Sequence, residues 1–483
     1  MALIQRRHLI GAAGMMLFGL SGPAAAAASP GGSADVIVVG GGGAGLSAAV
    51  TAAQAGASVL LLEKLPAIGG NTLRASGLFN AADPERQKPL GIEDSPDWHY
   101  KQMLASGGPT ASPEVVRRFV DEALPTLHWL EGLGVRFMPQ TVATWGAEWP
   151  RGHKPVLPRG QAYIRTLSAE LMRRGGRILT RTAVTDLLTD NAGRVTGVSA
   201  EIRHPDGRRE VKRFAASRGV ILASGGFAAN ADMVARHVPA LRDMPTDNSP
   251  GNTGDLLAPA ARIGARIQGL DFIQCVPGAP AGRSFQVRLD LDSGRSLLVD
   301  ADGERFVDED RSRDILARAI LSKPRGTVWI VTDDAAVSSY DMVSRKDIYK
   351  GLQTRDALRA GTIAELAGRM GVSAARLEET IRGFQAESEG RRGKCARVRC
   401  VPLTKAPFWA SRVHLNVHTT MGGLVITPDA EVVGTDGQPI PGLFAAGEVT
   451  GNVHGENRIG GNGVSDAVVF GRIAGQSVMK QSR

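Results

Sequence analysis

Cysteine is scarce, with three residues in a chain of 483, and this excludes a disulfide framework. Cys395 and Cys400 lie close enough in sequence to pair in an oxidising compartment, an expectation from spacing alone. No C-x-x-C-H occurs, so the chain carries no c-type haem of its own. Tyrosine occurs four times, and no basic tract has aromatics interleaved, so nucleic acid is not an expected partner. No internal repeat is evident and no metal site is expected. The apolar stretch near the N-terminus is too short to span a bilayer. The charge balance is mild: 57 Lys and Arg against 48 Asp and Glu give +9. That suits an acidic substrate or an acidic electron-transfer partner, and equally an ordinary solvated surface.

Glycine, in contrast, is plentiful at 60 residues, in a chain long enough for two or three domains. Residues 34–63 read as a complete strand, turn, helix and strand. Val36 to Val39 form a β-branched run without polar interruption, as in a buried parallel strand. Gly40, Gly42 and Gly45 then fit G-x-G-x-x-G, with Gly43 and Ala44 between them: tight turn, close approach to a pyrophosphate, close helix packing. The pyrophosphate belongs at the helix N-terminus, where free N–H groups favour an anion. A second apolar run, Val59 to Leu62, ends in Glu63, placed to accept from a ribose hydroxyl. This fingerprint does not choose between NAD and FAD.

Residues 1–30 combine Arg6-Arg7, an apolar stretch and an Ala-rich tail of cleavage-site type, the composition of an export signal. Arg6-Arg7 with His8, Leu9 and Ile10 resembles the twin-arginine signal, whose destination is the bacterial periplasm. Further on, helices are expected across 94–137, at 161–174 and at 362–385 with a break at 371–373. A strand pair is expected around 296–310, turning at Asp302-Gly303.

Gly70, Asn71 and Thr72 followed by Ser76 and Gly77, in GGNT and ASGLFNAA, resemble the flavin-contacting segment of the soluble, flavocytochrome c type fumarate reductases. Urocanate reductases and ketosteroid dehydrogenases are relatives of that family. The apolar strand 219–223 running into Gly225 and Gly226, and the segment SPGNTGD ending in Asp255, are similar to further FAD-contacting segments. So is Ala446-Gly447-Glu448, with its glycine-rich loop through Gly461 and Asn462 into a helix from about Val464. The resemblance covers essentially residues 34–483 and implies FAD. Asn71-Thr72 stand where covalent relatives carry histidine, so FAD is expected to be non-covalent. The implied fold is α/β: a Rossmann-like FAD-binding domain from 34–274 and 419–483, with an α+β capping domain inserted at 275–418.

In that family, reduced flavin N5 delivers hydride to a C=C bond conjugated to a carboxylate, and an arginine supplies the proton. By resemblance, GERFVDEDRSRD places the proton donor at Arg313 and HGENRIGG places the carboxylate-binding arginine at Arg458. Gln274 matches a site-lining position. The alternative for Arg313 is a surface ion pair with Asp310 or Asp314. A family histidine falls on Thr419, with His418 one position earlier. Cys275-Val276-Pro277 departs from the x-H-P of the family, and T-E-A-x-R-G is absent, its place taken by about 288–292. Val276 and Leu289 leave the far end of the site unable to satisfy a second buried carboxylate unless Arg288 points inward. The expected substrate is therefore an α,β-unsaturated monocarboxylate with an apolar or aromatic tail, not fumarate. Electrons are expected from a separate c-type cytochrome or quinol dehydrogenase, and the chain is expected to be a monomer. Two other readings stand beside this one: a dehydrogenase acting in the opposite direction on a ketosteroid-like ring, and a flavin electron carrier without its own substrate.

Overall fold

The structure, a computed structural model, describes residues 32–481 except 145, 279, 281, 284, 291, 292, 310, 325 and 392–400. The export segment, the Cys395 and Cys400 pairing, Asp292 and Asp310 therefore lie outside the described residues.

The β-branched run becomes the strand Ser33–Val39, central in a sheet. It runs parallel to Val59–Leu62 on one side and to Arg209–Leu222 on the other. Arg177–Leu179 and Pro439–Ala445 extend the parallel set outward. Val36, Ile37 and Val38 have no exposed surface, since the strand is flanked by neighbours on both edges and packed under the helix Gly43–Gln54, and this is why the run shows no polar alternation. The strand expected at 219–223 is the inner end of one fourteen residues long. Its first half is lengthened by antiparallel pairing with Val195–Arg203, which in turn pairs with Thr182–Thr189.

The glycine turn leads into the helix Gly43–Gln54, buried along nearly its whole length. A Cβ at Gly45 would lie 1.9 Å from the carbonyl oxygen of Gly40, so only glycine lets this helix leave the turn at such a short distance. The C-terminal helix Asn462–Lys480 packs against it and starts two residues earlier than expected. The helices Pro96–Gly107, Pro113–Gly132 and Gln161–Arg173 form where the sequence places them.

Between 275 and 418 the chain builds a four-stranded antiparallel sheet, in the order Ser296–Val299, Trp329–Asp333, Phe408–Arg412, Ala357–Ala360. The helices Ile363–Met370 and Ala374–Arg391, broken at 371–373, cover it through Leu366, Leu377 and Phe384. The strand pair expected across Asp302-Gly303 does not form. The turn is present, but the return arm makes a single bridge, Val299 with Arg305. Glu309 takes the Leu298 amide at 2.7 Å, the donor a returning strand would need, and Ser296–Val299 pairs with Trp329–Asp333 instead.

Both expected domain boundaries fall within one antiparallel pair, Ile273–Pro277 with Leu415–Thr420. Gln274 faces Thr419 and Cys275 faces Val417, which leaves His418 as the extra residue of a β-bulge. Bulges re-aim a side chain. Here the bulge accounts for a histidine displaced by one position still reaching the site.

Candidate active site

The cofactor end is built on the helix Gly43–Gln54. Gly42 is its N-cap, no side chain caps it, and no acidic residue occupies its first turn. A Cβ at Gly42 would meet nothing nearer than Thr72 Oγ1 at 3.8 Å, so the N-terminal amides stay approachable. That suits a pyrophosphate. Glu63 accepts from the Gly41 amide and from the Leu65 amide, each at 2.8 Å, which fixes its carboxylate at the strand end with lone pairs left for a ribose. Thr72 Oγ1 accepts from the Gly43 amide at 2.9 Å. We expect Gly45→Ala to lose about 3 kcal/mol or more, because the clash is backbone on backbone. Gly42→Ala should keep its melting temperature as apoprotein and lose FAD affinity; calorimetry and FAD titration read the two effects separately.

A second uncapped N-terminus, that of Asn462–Lys480, begins after Gly461 at φ +82° and likewise has no acid in its first turn; Val464 lies within that turn. Asn462 is buried and its Oδ1 accepts from Asn80 at 2.7 Å. Between the two ends, Glu448 receives Asn71 Nδ2 at 3.1 Å, Asn252 Nδ2 at 3.0 Å and the Thr420 amide at 3.1 Å. Burial nevertheless pushes its carboxyl above the ordinary range. Gly447 packs on Ala44, and Gly225 and Gly226 pass beside Asn252 and Glu448. Asn71 is committed to Asn248, Ser249 and Glu448. Three predicted residues stand apart: Ser76 is exposed, Gly77 uses its carbonyl to hold the Tyr163 hydroxyl, and Asp255 pairs with Lys64 at the rim.

The reactive end joins three segments. Gln274 Nε2 donates to Asn457 Oδ1 at 2.8 Å and to the Arg458 carbonyl at 3.0 Å. Both are acceptors, so Gln274 Oε1 must face the other way. There it receives Arg313 Nη1 at 3.0 Å and Arg458 Nη2 at 3.3 Å. Two guanidiniums thus converge on one neutral oxygen, and among the described residues neither makes an ion pair. Burial, then the charges of Arg458 and Arg288, hold Arg313 well below the ordinary arginine range; burial lowers Arg458. Arg458 Nε is buried without a hydrogen-bond partner among the described residues. Asp314, the alternative partner of Arg313, is occupied by Arg318.

His418 Nδ1 lies 2.9 Å from Asp247 Oδ2. Burial holds the imidazole below its usual value, with Asp247 opposing and both arginines reinforcing the shift. Burial alone would raise Asp247, but His418, Arg288 and Arg74 keep it lowered. The contact turns Nδ1 toward the carboxylate and leaves Nε2 as the other ring nitrogen. Cys275 is buried, and burial with Asp247 pushes its thiol up to about 12, so it is not a nucleophile here. Sequence reasoning missed Asp247, Asn252 and Asn457. Asn457 stands beside Arg458 in the same motif and Asn252 stands within SPGNTGD, which were the available signals.

A parallel sheet with two uncapped helix N-termini and a glutamate fixed at a strand end, joined to a pair of buried arginines, is the arrangement of a dinucleotide-binding enzyme. Residues 35–464 match the FAD binding domain family, and the chain belongs to that family, with FAD as its cofactor. It is 36% identical over 444 residues to the NADH:fumarate oxidoreductase of Klebsiella pneumoniae, covering 91% of this chain and 47% of that protein. It is 34% identical to the NADH:acrylate oxidoreductase of Vibrio harveyi, covering 89% and 49%. The chain thus spans about half the length of these two relatives. Among solved structures, the open conformation of a flavocytochrome c3 fumarate reductase superposes with a TM-score of 0.74 at 31% identity, covering 93% of this chain and 79% of that one.

Proposed function

We propose that the protein reduces the C=C bond of an α,β-unsaturated monocarboxylate in the bacterial periplasm, drawing electrons from a separate c-type cytochrome or quinol dehydrogenase. The observation that carries this reading is the pair of guanidiniums, Arg313 and Arg458, meeting on the uncharged oxygen of Gln274. Two buried cations with no ion-pair partner among the described residues are costly, and a bound carboxylate offsets that cost. When bound, FAD supplies the hydride chemistry. Arg458 grips the carboxylate through its unpartnered Nε and an adjacent Nη, a planar fork matched to two oxygens. Arg313 protonates the carbon not attacked by hydride, its acidity raised by burial and by its cationic neighbours. His418, oriented by Asp247, offers its other ring nitrogen to the substrate. Gln274 fixes the spacing of the two arginines.

In the same reading FAD is non-covalent, since Asn71 offers no nucleophile and its amide is fully committed. The 275–418 insert caps the site, the twin-arginine segment directs export, and the chain works as a monomer. The related names extend to fumarate and acrylate, and the far end of this site favours the monocarboxylate. Tyr163 and Tyr340 have their hydroxyls on the carbonyls of Gly77 and Leu289, which disfavours a tyrosine-dependent steroid dehydrogenase. The test is reoxidation of the dithionite-reduced protein by a panel of small acids. Acrylate or crotonate should restore the oxidised-flavin absorbance faster than fumarate. If no unsaturated acid reoxidises protein that ferricyanide does reoxidise, the reading is wrong.

A further inference from the structure

Arg313 also lines a narrow cavity whose lining does not include Arg458. Its polar lining is Arg288, Asp290 and Arg313, and its apolar lining includes Val276, Leu316 and Ile320. Arg288 does turn inward, but its fork is already filled: Nε donates to Asp290 Oδ1 at 2.6 Å and Nη2 to Asp290 Oδ2 at 2.7 Å. Asp290 is 3% exposed, so water does little to compete for the pair. Leu289 between them is fully buried and its carbonyl accepts the Tyr340 hydroxyl at 3.0 Å, which pins the backbone carrying both charges. A bidentate arginine–carboxylate pair presents no net charge and leaves no free fork.

We propose that Asp290 is the specificity-determining residue of the site: by occupying the fork of Arg288, it withholds from the far end the cation that a second substrate carboxylate needs. The inference rests on the carboxylate-binding reading above and deepens it. A monocarboxylate held by Arg458 runs its tail past Arg313 into this cavity and meets apolar side chains beside a neutral ion pair. A dicarboxylate of the same length brings an anion there, with Val276, Leu316 and Ile320 unable to pair it and Asp290 repelling it. Without Asp290, Arg288 becomes a third guanidinium facing the cavity, and a dicarboxylate is clamped at both ends.

Binding can be read without turnover, from the change in the visible flavin spectrum as FAD-loaded protein is titrated with butyrate and with succinate, four-carbon acids differing in one terminus. Wild type should favour butyrate. Asp290→Asn should raise the succinate to butyrate affinity ratio by about tenfold or more, the effect of one additional charge-assisted hydrogen bond. Arg288→Leu, which strands Asp290 as an unpaired anion, should lower the ratio by about tenfold. The double variant Arg288→Leu/Asp290→Leu removes both charges and should return within about threefold of wild type. If Asp290→Asn does not fold, judged by melting and FAD retention, the Arg288→Leu and double variants decide. Ratios that do not move overturn the assignment. Crotonate reoxidation of reduced wild type, run alongside, separates the two readings. Shifted ratios without crotonate reduction leave the anion site standing and remove the reductase reading. Crotonate reduction with unmoved ratios removes only the role of Asp290.

Discussion

Arg313→Ala should lower kcat by about 10³-fold, within the usual range for loss of a positioned proton donor, while FAD content and reduction of the flavin by dithionite are unchanged. The reason is geometric. Among the described residues the Arg313 side chain makes one hydrogen bond, to Gln274, so its removal should leave the fold and the cofactor cradle intact. The loss should fall in kcat rather than KM, because the interaction is made chiefly in the transition state. The pH profile supplies an independent check. Arg313 must be protonated to act, and its folded pKa lies well below the ordinary arginine value. Activity is therefore present at lower pH and declines as pH rises through that depressed pKa. Arg313→Lys should keep measurable turnover with a displaced alkaline limb. Wild-type rates in Arg313→Ala with any unsaturated acid would place the donor elsewhere, with Asp290 or Asp292 the next candidates.

Arg458→Ala should differ in kind. It removes a fork whose Nε has no partner among the described residues, a charge-assisted interaction worth about 1.5–3 kcal/mol. Substrate affinity should fall by roughly 10- to 150-fold, and kcat should fall as well. Lysine at 458 should rescue little, since a single ammonium cannot reproduce the planar fork. Spectral titration with butyrate reads the affinity directly, and an unchanged dissociation constant would remove Arg458 from substrate binding.

The cofactor end was legible because its signals are local. Strand, glycine turn, helix and glutamate lie within thirty consecutive residues, and each has a steric reason to be where it is. The two arginines were legible by resemblance alone; no periodicity points to them. What the chain could not disclose were pairings set by tertiary proximity. Gln274 and Asn457 are 183 residues apart, His418 and Asp247 171. Arg288 and Asp290 are only two apart, but they sit outside regular structure, where spacing carries no information about which way a side chain points. The misjudged strand pair at 296–310 has a similar origin. The turn residues were right, and a buried glutamate further along claimed the amide that decides the pairing.

The threading of the chain through Ile273–Pro277 and Leu415–Thr420 has an evolutionary corollary. Arg288, Asp290, Arg313 and Leu316 all lie on the excursion between those strands, whereas the glycine turn, Glu63, Glu448 and Asn462 lie outside it. On the proposed reading, selection can therefore revise the far end of the site by editing one contiguous stretch of the gene, leaving the glycine turn and its partners inherited unchanged. Grafting that stretch between homologues is the natural unit of recombination for new substrate preferences on this scaffold.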